Sequence, residues 1–79
     1  MDISIEQLRV SEHSGMVSKT IREMQLGRAF GVIVMAIRKR DGQMMFNPPA
    51  DTAVSEGDYL IVMGRQENLE RVEALLAEK

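Results

Sequence analysis

The sequence predicts a small α+β domain in two layers, with the element order β-α-β-β-β-α and a mainly antiparallel sheet carrying its helices on one face. Three observations predict it. Two short apolar runs rich in β-branched residues, Val32 to Arg38 and Asp58 to Met63, are too short for typical helices and suit strands. Asp41-Gly42 follows the first run and is a strong hairpin signal. A final segment, Glu67 to Glu78, places Leu69, Val72 and Leu76 on one helical face with Leu75 beside it.

In Ile3 to Val10 the apolar residues at 3, 5, 8 and 10 alternate with one slip, which suits a first strand with an irregularity or one starting near Glu6. Ser11 to Gly15 is polar and reads as a loop. Ser18 is the expected N-cap of a short helix running to Gln25, with Val17, Ile21 and Met24 on its apolar side and Gly27 as its stop. Gln43 to Phe46 is the strand returning from the hairpin. Asn47-Pro48-Pro49 ends it, because proline has no amide donor for a ladder. In the last helix Glu67 and Arg71 stand at i,i+4.

Both central strands are apolar on both faces. In the first, Val32, Val34 and Ala36 are expected to face one way, and Ile33, Met35 and Ile37 the other. In the second, Tyr59, Ile61 and Met63 oppose Leu60, Val62 and Gly64. A chain of 79 residues has little material to cover two sheet faces. An open apolar face is a liability in a monomer, so a two-fold homodimer is expected. Its expected interface takes Val32, Ile33, Val34, Met35 and Ile37. The alternative is docking on another part of a longer parent polypeptide.

Composition excludes several functions. With no cysteine there is neither a disulfide nor a thiolate metal site, and the single histidine, His13, cannot build a multi-histidine site. Net charge is −2, which argues against sequence-independent nucleic-acid binding. No apolar run approaches the roughly 18 residues that span a bilayer. Asp41, Asp51, Glu56 and Asp58 lack the spacing of a calcium loop and read as turn residues. No serine stands in a recognisable catalytic context, so the chain is not read as an enzyme, and no metal is assigned.

Val17-Ser18-Lys19-Thr20-Ile21, Arg28-Ala29-Phe30-Gly31, the run to Arg38, the step Pro48-x-x-Asp51-Thr52, and Gly57-Asp58-x-Leu60-x-Val62-x-Gly64 occur together in this order. The set resembles the C-terminal domain of RCK/TrkA-type potassium-transport regulators, the TrkA-C domain, over Leu8 to about Leu76. Ser18 departs from the family pattern, which has glycine there. The resemblance implies one regulatory domain over residues 1–79, excised from or appended to a larger protein. It implies a cytoplasmic place at the inner face of the membrane, beside a Rossmann-type nucleotide-binding domain and a membrane cation channel or transporter. No Gly-x-Gly-x-x-Gly motif is present, so Rossmann-type nucleotide binding is not assigned to these residues. The resemblance further implies a homodimer, and in some members of the family the pair binds a small effector at its interface, such as cyclic di-AMP, with the effector's identity left open.

The effector-site residues are Arg28, Phe30, Asn47 and Pro48. Arginine meets phosphate with paired donors, Phe30 offers a ring for a base, and a strand broken at Asn47-Pro48 can admit a ligand. Their plainer readings are surface charge, core anchor and edge-strand end. Arg38, Lys39 and Arg40 are weighed with Arg28 as anion binders, against the reading that they are solvated charge at a hairpin. A ligand-free dimerisation module of another ion transporter or of a transcription regulator is the alternative function. Direct nucleic-acid contact is not expected.

Overall fold

The computed structural model describes Asp2 to Ala77. Four antiparallel strands form one sheet in the order β1-β4-β2-β3: β1 is Ile3–Arg9, β2 Ile33–Arg38, β3 Met44–Phe46 and β4 Tyr59–Arg65. The helices are α1, Ile21–Met24, α2, Leu26–Phe30, and α3, Gln66–Leu76. The two-layer α+β class and the order of elements are as the sequence predicts. The single expected helix from Ser18 to Gln25 is instead two short ones.

The split has a local cause. Gln25 adopts left-handed backbone angles, φ 54° and ψ 36°, which end α1 and start α2 in a new direction. Gly27 lies inside α2, and the stop is Gly31, at φ 65°, after which the Val32 amide donates to the Leu26 carbonyl. The cap is Thr20, not Ser18. Thr20 and Glu23 form a reciprocal capping box, the Glu23 amide donating to Thr20 Oγ1 and the Thr20 amide to Glu23 Oε1. The Thr20 amide chiefly, with its hydroxyl and Lys19, holds the Glu23 carboxyl below its usual range. Ser18 lies upstream at φ 74°, its amide donating to the Val54 carbonyl. Glycine enters that region without strain, so the departure from the family pattern falls on a backbone constraint.

The hairpin forms as expected. The Gly42 amide donates to the Lys39 carbonyl, and Asp41 Oδ1 accepts from the Gln43 amide. β4 runs straight into α3 at Arg65, and Leu69, Val72 and Leu76 are fully buried against Leu8, Val10, Leu60, Val62 and Ile37. The close approach of the α2–β2 junction to β4 leaves little room at Gly64, where a Cβ would meet Val32 Cγ2 at 3.2 Å and the Gly31 carbonyl at 3.3 Å. Ser11 and Ser14 finish the far end of α3. The Ser11 amide donates to the Leu76 carbonyl, and Ser14 Oγ donates to the Leu75 carbonyl. The polar loop of the sequence is thus a C-terminal cap for a distant helix.

A bulge in β2 corrects the expected facing of its side chains. Val34 pairs with Val62 and Ala36 with Ile61, so Met35 is extra on its strand. Beyond the bulge the alternation is inverted. Ile37, opposite Leu60, joins Val34 on the core face, and Ala36 joins Ile33 on the other. β4 faces as predicted, with Leu60, Val62 and Gly64 inward.

Candidate functional site

The predicted site residues fall in two pairs, Arg28 with Phe30 in the helix before β2 and Asn47 with Pro48 after β3. β3 pairs only with Ala36 to Arg38, so no strand flanks Ile33 to Met35 on the side away from β4 among the described residues. One hydrogen bond closes the gap in part: the Asn47 amide donates to the Met35 carbonyl at 2.8 Å. Asn47 makes that turn in the left-handed region, at φ 47°. The chain then runs through Pro48 and Pro49 to the start of α1, where the Ala50 and Thr52 carbonyls accept from the Arg22 and Ile21 amides and Thr20 bridges to Ala53.

Arg28 and Phe30 approach β2 from its beginning. Arg28 is exposed in the last turn of α2 and makes no ion pair among the described residues. Phe30 is half-buried and turned towards α3, where the Arg71 guanidinium lies 5.3 Å from its ring centre. The structure therefore places Arg28 and Phe30 before the open stretch of β2 and Asn47 and Pro48 beside its middle. No hydrogen bond joins the two pairs.

The expected interface residues divide into two groups. Ile33 is 56% exposed and Met35 39% exposed, at the open edge, with Val34 half-buried between them. Val32 and Ile37 are 1% and 0% exposed. They belong to the chain's own core and offer no surface to a partner. Val32 is held inward by the α2 stop, and Ile37 is turned inward by the bulge.

The hairpin cations do not join Arg28. Lys39 Nζ lies 2.7 Å from Asp58 Oδ2, and Asp58 is 1% exposed. The same oxygen accepts from the Ser55 amide at 2.8 Å, while Asp58 Oδ1 is buried with no hydrogen-bond partner. Arg40 pairs with Glu56 at 3.1 Å, and its guanidinium rests against Gly57, at φ 84°. Lys39, Arg40, Asp41, Ser55, Glu56 and Asp58 line a hollow of about 460 Å³. Its two cations are paired within the chain and Asp41 adds a further negative charge, so it is a weaker place for an anion than Arg28. The pairing of Lys39 with Asp58 spans 19 positions of sequence and left no local signal. Among the described residues no group of three or more histidines or acids is arranged to hold a metal ion.

Comparison with known proteins agrees with this architecture. The TrkA-C domain family model matches residues 5–77. The chain belongs to the TrkA-C domain family. It is 28% identical over 71 residues to the K(+)/H(+) antiporter subunit KhtT of Bacillus subtilis (strain 168), covering 90% of this chain and 43% of that protein. The chain therefore spans less than half the length of that relative. Among solved structures, the RCK C domain of the potassium transport protein KtrA, in complex with cyclic diadenosine monophosphate, superposes with a TM-score of 0.82 at 28% identity. That match covers 91% of this chain and 81% of the KtrA chain. The RCK_C domain dimer of S. agalactiae BusR, also in complex with c-di-AMP, gives 0.84 at 21% identity over 96% of this chain and 93% of that one. The BusR match speaks for the fold alone. No helix among the described residues is long and apolar enough to cross a membrane.

Proposed function

We propose that this chain is the regulatory domain of a potassium channel or transporter, acting on the cytoplasmic side of the membrane as a homodimer. Its effector is a small anion with two phosphates, of which cyclic di-AMP is the leading candidate. The observation that carries the reading is Arg28, exposed and without an ion pair among the described residues, in the turn that leads into the open edge of β2. A dimer built across that edge through Ile33 and Met35 supplies two such arginines, one for each phosphate. Asn47 and Pro48 border the same edge, and the partly exposed Phe30 offers a ring for a base. The complex of KtrA with cyclic diadenosine monophosphate supports the choice of effector.

In mechanism, the effector holds two copies in one relative orientation. Gating of the attached transporter shifts by the difference in effector affinity between the two orientations. Titration calorimetry and thermal denaturation with cyclic di-AMP test this. Binding that raises the melting temperature is expected, with Arg28→Ala weakening it about ten-fold or more. A domain that sediments as a dimer yet gains no stability from cyclic di-AMP would leave the alternative, a ligand-free dimerisation module. One observation favours that alternative: Lys39 and Arg40, two of the four candidate anion binders, are already neutralised by Asp58 and Glu56.

A further inference from the structure

The sheet face away from the helices carries a second ordered surface. Strand register arranges it in rows. Ile5, Met63 and Ile33 form one row, and Gln7, Ile61, Ala36 and Phe46 the next. Arg9, Tyr59, Arg38 and Met44 close one end, and Ile3 with Arg65 closes the other. Ile5 is 59% and Phe46 77% exposed. The four rows hold three arginines and no carboxylate, although the whole chain has a net charge of −2. The Arg38 guanidinium lies over the Tyr59 ring, 4.4 Å from its centre, and donates one bond to Gln7 Oε1 at 3.1 Å. Its remaining donors are thereby pre-positioned.

We infer that this face binds an amphipathic helix from outside residues 2–77, apolar along one side and carrying carboxylates near both ends. The spacing sets its length. Tyr59 to Arg65 is six residues of strand, about 20 Å, so the cationic ends are spanned by a helix of about 14 residues. The inner face shows the same packing, since α3 lays Leu69, Val72 and Leu76 on the opposite side of β4 and β1. A second copy of the face is a poor occupant. In an aligned face-to-face pair, a two-fold axis along the strands sets the Arg9–Arg38 row against itself. An axis across the strands sets Arg65 between Arg9 and Arg38 of the other copy.

The test uses the full chain and two labelled 14-residue helical peptides with the same apolar stripe, one ending in glutamates and the other in lysines. Fluorescence anisotropy is expected to show the glutamate peptide binding about ten-fold or more tightly than the lysine peptide. Ile5→Asp and Phe46→Asp, checked for folding by circular dichroism, abolish the binding. The double variant Arg9→Glu, Arg38→Glu reverses the preference, which a merely structural role for these arginines would not do. Equal affinity for the two peptides, no binding of either, or binding that survives Ile5→Asp overturns the inference. So does a dimer that Ile5→Asp dissociates, or phosphatidylglycerol vesicles that sediment with the chain and release it on the same substitution.

Discussion

The two faces of one sheet differ more than the strands that make them. Inward, Leu8, Leu60, Val62 and Ile37 are buried beneath α3, and the buried Asp58, just before β4, is held by Lys39. Outward, the same strands show Ile5, Ile33 and Phe46 to solvent between rows of arginine. The inner face is closed within 79 residues, whereas the outer face is apolar yet unfinished. The contrast locates stability on one side and association on the other.

The strongest way to break this comparison is a pair of truncations read by urea denaturation. Leu60→Ala should cost about 3–5 kcal/mol, since it empties a fully buried site. Ile5→Ala on the outer face should fall within about 0.5 kcal/mol. Equal costs would mean that the outer face is part of the folding core. The next test concerns charge. Lys39→Met leaves Asp58 buried without its cation and should cost about 2–3 kcal/mol, less than a fully buried pair because Lys39 is partly exposed. Arg9→Met, a cation removed from the outer face, should leave the urea midpoint nearly unchanged. The smallest effect lies in the backbone beside α1. Ser18→Gly relieves a left-handed residue and should raise the melting temperature, by a stabilisation of up to about 1 kcal/mol. A fall would show that the Ser18 conformation is not strained.

Much of the fold was legible because local chemistry announces it. Asp41-Gly42 makes its hairpin from its own turn preferences. The stripe of Leu69, Val72 and Leu76 marks α3 by helical spacing alone. The helix preceding β2 was misjudged because Gln25 carries no mark of a left-handed residue, and the capping box of Thr20 and Glu23 competes with the more obvious serine upstream. The candidate site was legible only as a neighbourhood. Arg28, Asn47 and Pro48 were named from residue type, but nothing local says that Lys39 is committed to Asp58 or that Arg71 covers Phe30.

By itself the sequence determined the class, the order of elements along the chain and the presence of more apolar surface than one helical layer can hide. These follow from composition and from periodicities of 2 and 3.6 residues, which act over a few neighbours. Which side chains face a partner was decided only by the tertiary structure. The pairing of Val34 with Val62 and of Ala36 with Ile61 inserts one extra residue, and that single step exchanges the faces of Ala36 and Ile37. A strand's alternation has period two, so a bulge anywhere inverts everything beyond it. Its position is set by the partner strand and by Asn47 holding the Met35 carbonyl, which are contacts between distant parts of the chain.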